Sequence, residues 1–247
     1  MKNLIISSLI LVSTLLLGAS CAHKQGSSRA QRTTSSSAEY SGARSRDLSV
    51  SLSNKRGDRN KLDGEEVFAK YNTAVFMVYT SDGWNGYQGS GFFINSNGLA
   101  VSNYHVFKDT SVGMEAIKLY GSDKLYKVVE VIKQSEESDF ILFRVDISNT
   151  NYIPIARTKP KVGEKVYAMG SPRGLENTFS SGEISGWRDT YLIQTNVKID
   201  HGSSGGALIN EYGEVVGITS GTLADGSQAN LNYAWSIDVI KPYVKMH

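Results

Sequence analysis

The feature that most constrains the fold is a series of short apolar runs, separated by turns, that extends from residue 74 to residue 237. Two of the turns, Asn97-Gly98 and Tyr212-Gly213, carry hairpin signals between apolar runs. Many short strands with frequent turns are typical of all-β barrels and sandwiches. We therefore predict an all-β fold with twelve strands, at residues 74–80, 91–95, 99–103, 116–120, 125–131, 140–145, 165–169, 179–187, 191–195, 206–210, 215–220 and 233–237. A short helix is expected on each side of the series, at 65–70 and 237–246.

The composition is that of an ordinary globular protein and excludes several classes of function. Hydrophobic residues make up 40% and charged residues 20% of the 247 residues, enough to bury a core. The net charge of +2 is too small to indicate nucleic-acid binding. The single cysteine, Cys21, excludes an internal disulfide, and four histidines without a second cysteine give no zinc-finger spacing. We predict no metal, no cofactor and no nucleic-acid partner.

Residues 1–21 have the pattern of an export signal. Lys2 precedes an apolar run at 4–17, and small residues at 18–20 lead to Cys21. The run is shorter than the roughly 20 residues of a spanning helix. The pattern resembles a bacterial lipoprotein signal peptide, which implies a lipid on Cys21 and a location on the periplasmic side of the outer membrane. A plain secretory signal with a leftover thiol is the alternative.

Residues 22–63 are predicted to form a disordered tether. Ten serines, nine Lys or Arg and four Asp or Glu lie in this segment, which has no apolar periodicity. Such a segment cannot bury enough apolar surface to offset its ordering entropy. Its net charge of +5 suits a solvated spacer, and it also suits attraction to anionic lipid headgroups.

Three residues in the predicted β region have the chemistry of nucleophilic catalysis. His105 follows a strand, Asp139 opens another, and Ser204 lies in a glycine-bounded turn. A serine hydroxyl needs a base to take its proton as it attacks, and imidazole suits that task. A carboxylate on the other ring nitrogen fixes the tautomer and stabilises the imidazolium. The N–H groups of Gly202 and Ser204 are the candidate donors to the oxyanion that develops in acyl transfer.

These segments resemble trypsin-like serine peptidases, specifically the disulfide-free HtrA-type branch, over about residues 65–240. The resemblance implies a double six-stranded β-barrel, residues 64–247, with a cleft between barrels that divide near 148–161. It places the catalytic acid at Asp139 rather than at Glu136, Glu137 or Asp146. The segments that carry the resemblance are 89–105, 138–145, 162–172, 174–175, 181–185 and 200–219.

The resemblance also implies the function: a serine endopeptidase of the bacterial cell envelope that cleaves unfolded or extended polypeptides. The alternative is an inactive or activator-dependent protein of the same fold that binds misfolded chains. Members of this branch often carry a PDZ domain, which we do not expect here because the sequence ends at His247. Homo-oligomers are common in the branch through N-terminal aromatic contacts. Candidates are Phe68, Tyr71 and Phe76, which core packing explains as well.

The substrate-binding residues are expected on both sides of the nucleophile. Lys198, six residues before Ser204, occupies the position that holds an acidic residue in trypsin itself. A preference for Arg or Lys at the cleaved bond therefore has no support. A neutral, partly apolar pocket would favour small or medium aliphatic side chains. The predicted lining is Ile199, Thr219, Ser220, Gly221 and Tyr233.

Overall fold

The structure is a computed structural model that describes residues 49–53, 56–111, 113–171, 177–200, 202–222 and 232–247. The predicted signal segment 1–21, Cys21 and residues 22–48 lie outside this part of the chain. The helices are α1 (Gly64–Tyr71) and α2 (Tyr104–Phe107). The strands are β1 (Val50–Leu52), β2 (Val75–Ser81), β3 (Gly86–Phe93), β4 (Leu99–Ser102), β5 (Ala116–Leu119), β6 (Leu125–Ser135), β7 (Phe140–Val145), β8 (Lys165–Gly170), β9 (Thr178–Trp187), β10 (Leu192–Thr195), β11 (Ala207–Asn210), β12 (Val215–Thr222), β13 (Asn232–Ser236) and β14 (Val244–Met246).

Twelve of these strands form two closed six-stranded barrels. The first barrel has the order β2-β3-β4-β7-β6-β5, and the second has the order β10-β13-β12-β11-β8-β9. Each predicted strand overlaps one barrel strand. Closure removes the unpaired edges that an open sheet would present to other chains. The predicted all-β fold with a double six-stranded barrel is confirmed.

The strands between the barrels are buried on both faces, which explains their continuous apolar runs. In β8, Val166 and Ala168 pack inside the second barrel, while Tyr167 and Met169 face the core between the barrels. Successive side chains of a strand point to opposite faces, so a strand shared by two cores has no polar face. Strands β4, β7 and β11 divide their side chains in the same way.

The predicted tether is ordered where the structure describes it. Strand β1 pairs in parallel with β14, and Leu52 is buried in the core between the barrels. The N–H groups of Asp58 and Leu62 donate to the carbonyls of Tyr212 and Glu211, each at 2.7 Å. The prediction of disorder over 22–63 is therefore wrong for residues 49–53 and 56–63, because backbone pairing and one buried leucine fix them.

The two predicted flanking helices have different outcomes. Helix α1 confirms the expected helix at 65–70; its N-cap Asp63 and Glu66 form a capping box. The expected helix at 237–246 is wrong. That segment contains two short 3-10 turns, Ile237–Val239 and Lys241–Tyr243, followed by β14. Among the described residues, no helix has the length and apolar character needed to cross a membrane.

The aromatic residues considered for oligomer contacts are used within this chain. Tyr71 and Phe76 are buried in the core. Phe68 is half-buried and packs edge-on against Phe179 and Tyr120. Core packing therefore accounts for all three.

Candidate active site

His105 and Asp139 meet because their strands are neighbours. Strand β4 is antiparallel to β7, with Ser102 opposite Ile141, so the residues after β4 and before β7 lie at the same edge of the barrel. His105 lies in α2, directly after β4, and Asp139 directly precedes β7. Nδ1 of His105 is 2.8 Å from Oδ2 and 3.0 Å from Oδ1 of Asp139. The backbone N–H of His105 also donates to Oδ1, at 3.0 Å.

Asp139 adopts an unusual backbone conformation that its neighbours hold in place. Its φ is +40°, a region that few residues other than glycine adopt, although aspartate tolerates it. The side-chain amide of Asn103 donates to the Asp139 carbonyl at 2.8 Å. Strained backbone at a functional position persists only when surrounding contacts fix it. Asn103 is thus a candidate positioning residue at the site, one that the sequence pattern alone does not indicate.

Ser204 lies in a tight turn at the interface between the barrels. Its carbonyl accepts the N–H of Ser90, in β3 of the first barrel, at 2.8 Å. The next residue, Gly205, has φ +86°, and its N–H donates to the Thr219 carbonyl at 2.7 Å. A Cβ on Gly205 would collide with the Ser90 carbonyl and the Ser102 hydroxyl. Only glycine therefore allows the turn to approach the first barrel this closely.

Ser220 connects the acid with the nucleophile. The β12–β13 register shifts between Thr219 and Gly221, which leaves Ser220 as an extra residue in a bulge. Bulges redirect side chains beside active sites. The Ser220 hydroxyl donates to Oδ2 of Asp139 at 2.8 Å, and its carbonyl accepts from Oγ of Ser204 at 3.4 Å.

The hydroxyl of Ser204 is directed at Ser220 rather than at the imidazole. Among the hydrogen bonds of the described residues, none joins His105 to Ser204. Catalytic hydrogen bonds are often long or misaligned in free enzymes and shorten when substrate binds. The structure thus brings His105 into direct contact with Asp139 and brings Ser204 to the same cluster through Ser220.

The peptide between Ser203 and Ser204 has a fixed direction. The Ser203 carbonyl accepts from Oγ1 of Thr219 at 2.7 Å and from the N–H of Gly206 at 2.9 Å. The N–H and C=O of a trans peptide point to opposite sides, so the Ser204 N–H points away from these buried partners. Gly202 has φ +93°, and its N–H belongs to the peptide shared with residue 201, outside the described residues. The turn can therefore present the Ser204 N–H to an oxyanion.

Residues 89–218, just over half of the chain, match the family model described as trypsin-like peptidase domain. The chain belongs to the trypsin-like peptidase family. Among curated relatives, a probable periplasmic serine endoprotease DegP-like from Pseudomonas putida is 37% identical over 160 residues, covering 61% of this chain and 33% of the relative. Serine protease HTRA2, mitochondrial, from Drosophila ananassae is 31% identical over 169 residues, covering 64% of this chain and 38% of the relative. The predicted resemblance to the HtrA-type branch is confirmed.

A solved structure supports the fold of this trypsin-like peptidase. The serine endoprotease from Yersinia pestis superposes with a TM-score of 0.65 at 24% identity, covering 73% of this chain and 65% of the other. The chain spans about a third of the length of the two curated relatives and about two thirds of this solved chain.

The residues predicted to bind substrate have different surroundings in this peptidase fold. Gly221, with φ +102°, lies beside the nucleophile: a Cβ there would be 3.8 Å from Oγ of Ser204. Tyr233 is opposite Gly221 in the β12–β13 pair. Ile199 and Thr219 are buried, and the Thr219 hydroxyl is engaged by the Ser203 carbonyl. The Ser220 hydroxyl donates to Asp139.

The ionisable side chains in contact with each other at the site are those of His105 and Asp139. The imidazole side chain is 45% exposed, whereas the carboxylate of Asp139 is 15% exposed and accepts from both His105 and Ser220. Within the described ranges, no group of three His, Cys, Asp or Glu side chains is placed to hold a metal ion. The arrangement suits proton transfer between an oriented imidazole and a hydroxyl.

Proposed function

We propose that this chain is a serine endopeptidase that cleaves extended or unfolded polypeptides through an acyl-enzyme. The observation that carries the proposal is the contact of His105 with Asp139 beside a nucleophile turn that Ser220 ties to the same carboxylate. Membership of the trypsin-like family and the serine protease names of its relatives support it.

In the first half of the reaction, Oγ of Ser204 attacks the carbonyl carbon of the scissile peptide, and His105 takes the hydroxyl proton. The carbonyl oxygen gains the electron pair, and the N–H groups of Gly202 and Ser204 stabilise its charge. Asp139 holds Nδ1–H of His105, so the proton arrives on the other ring nitrogen. His105 then protonates the leaving nitrogen as its bond to carbon breaks.

The second half repeats these steps with water as nucleophile. His105 takes a proton from water as its oxygen attacks the acyl carbon. The Ser204 oxygen then leaves and regains its proton from the imidazolium. An extended substrate would add as a strand beside residues 219–221, with its side chain near Gly221 and Tyr233. The pocket residues we propose are Ile199, Thr219, Ser220, Gly221 and Tyr233.

We also propose the domain organisation and location. The signal would cover residues 1–21, with a lipid on Cys21 that holds the protein in the bacterial cell envelope. The peptidase domain would cover 64–247 together with the ordered residues 49–53 and 56–63 that pair with it, and the barrels would be joined near 148–161. Strand β7 ends at Val145 and β8 begins at Lys165. The periplasmic name of a relative supports export. A Cys21→Ala variant should move from the membrane to the soluble fraction, and unchanged membrane association would contradict the anchor.

The second candidate is a protein of this fold that binds unfolded chains and cleaves only after activation. It is favoured by the direction of the Ser204 hydroxyl, which donates to the Ser220 carbonyl. Incubation with reduced casein, beside the Ser204→Ala variant, separates the candidates. Cleavage by the parent alone supports the endopeptidase. Retention of casein by both proteins without cleavage supports the binder.

A further inference from the structure

Ser90 connects the first barrel to the nucleophile turn through its N–H and its hydroxyl. It lies in β3 and is completely buried. Its N–H donates to the Ser204 carbonyl at 2.8 Å, and its hydroxyl donates to the Gly202 carbonyl at 2.6 Å. Its hydroxyl oxygen also accepts the N–H of Ser171 at 2.8 Å, and its carbonyl accepts the Ser102 hydroxyl at 2.7 Å.

The direction of the Ser90 hydroxyl is fixed by these partners. A serine hydroxyl has one hydrogen to donate and two lone pairs to accept. Since the N–H of Ser171 occupies a lone pair, and a carbonyl cannot donate, the hydrogen of Ser90 must point at the Gly202 carbonyl. The hydrogen bond holds the peptide between Gly202 and Ser203 from its carbonyl end. The Ser203 N–H, which donates to the Asp200 carbonyl at 2.9 Å, holds its other end.

Gly202 needs this external restraint because its own backbone restricts it little. It has φ +93° and no Cβ, so rotation about its two backbone bonds meets little steric resistance. Rotation about the Cα–C bond of Gly202 would turn its carbonyl away from Ser90, so this hydrogen bond restrains one of the two rotations that set the direction of the Gly202 N–H relative to the turn. We propose that Ser90 is a positioning residue whose hydroxyl fixes the 202–203 peptide and thereby aims the Gly202 N–H at the oxyanion. The inference rests on the proposed peptidase function for its effect on rate.

Loss of the Ser90 hydroxyl should therefore affect the transition state more than substrate binding. Removal of an oxyanion donor costs about 10²- to 10³-fold in kcat. If the donor remains but can rotate, the loss in kcat should be smaller. We therefore expect kcat to fall about 10- to 100-fold in Ser90→Ala. KM should change less than about threefold, because an interaction made only in the transition state leaves ground-state binding unaltered.

The matched control is Ser102→Ala. Ser102 is also buried and donates a hydrogen bond of similar length, but to the Ser90 carbonyl and not to the turn. A merely structural role for Ser90 predicts that both variants lose stability and keep kcat. A positioning role predicts that kcat falls in Ser90→Ala alone, whereas thermal unfolding shows similar losses in both.

The experiment compares the full chain with both variants by steady-state cleavage of a peptide ester and by amide hydrogen exchange over residues 202–206. We expect exchange in this segment to be at least about tenfold faster in Ser90→Ala and unchanged in Ser102→Ala. The inference is overturned if Ser90→Ala keeps kcat within twofold, or if exchange in its turn matches the parent. If the parent itself proves inactive, the proposed function fails, and the exchange measurement alone decides the inference.

Discussion

The hydroxyl of Ser220 donates to Oδ2 of Asp139 at 2.8 Å, so a residue of the second barrel holds the carboxylate supplied by the first. The same carboxylate accepts from the ring and the backbone N–H of His105. These contacts fix its orientation only while the barrels remain docked. The geometry of the site therefore depends on the core between the barrels.

Ser220→Ala should lower kcat about tenfold. A hydrogen bond to a charged group contributes about 1.5–3 kcal/mol, and partial exposure of this pair favours the lower end. The bond steadies Asp139 and hence the tautomer of His105. Steady-state kinetics on a peptide ester should show the loss, with Ser122→Ala as a control because it lies in a turn of the first barrel. An unchanged kcat would mean that His105 alone orients the acid.

Leu52→Ala should destabilise the peptidase domain by about 2–5 kcal/mol, the usual cost of truncating a buried leucine. Leu52 is 1% exposed and contributes to the core between the barrels. The neighbouring Ser51→Ala, at an exposed position of the same strand, should change stability by less than about 0.5 kcal/mol. Urea unfolding measures both. Equal stability of the two variants would show that β1 is dispensable.

The sequence pattern predicts the barrels better than it predicts their surroundings. Each barrel strand is an apolar run closed by a turn, a local signal that needs no knowledge of partners. Strand β1 has only Val50 and Leu52 among serines, and it pairs with β14, almost 200 residues further along the chain. A pairing so distant leaves no local pattern, so the composition of the segment predicts only a disordered tether.

The site was predictable in part for the same reason. His105, Asp139 and Ser204 stand at strand ends or in a glycine turn, which the sequence displays. The role of Ser220 depends on a bulge between Thr219 and Gly221, which only the paired strand reveals. Ser90 stands between Gly89 and Gly91, whose absent side chains make room for Val106 and Phe76. A serine between two such glycines is the sequence signal that could have indicated a close approach of β3 to another segment of the chain.

Gly205→Ala should destabilise the fold by at least about 3 kcal/mol, since it adds a collision with backbone to the strain of a positive φ. Gly83→Ala is the matched control. Gly83 has φ +95° but no atom within 4 Å of a Cβ. The Gly83→Ala substitution should therefore reduce stability by only about 1–2 kcal/mol. Denaturant unfolding gives both values. A Gly205→Ala variant as stable as Gly83→Ala would contradict the close approach of the turn to Ser90 and Ser102.

The fold should lose stability in acid as the carboxylate of Asp82 becomes protonated. Hydrogen bonds from the backbone N–H of Asn85, the Asn85 side chain and the N–H of Trp84 hold the pKa of Asp82 well below its usual range. The unfolded chain therefore takes up this proton first as pH falls below about 5, and the stabilisation is lost progressively as pH falls further towards the lowered pKa of the folded state. The stability difference between the parent and Asp82→Asn should shrink over that range. A constant difference would contradict the lowered pKa.

Activation of Ser204 by His105 can be measured by reaction with a fluorophosphonate, followed by mass spectrometry of the modified peptide. We expect one adduct on Ser204 in the parent, none in Ser204→Ala, and labelling slower by about 10²- to 10⁴-fold in His105→Ala. Labelling of His105→Ala at the parental rate, or a parent adduct on another residue, would contradict it.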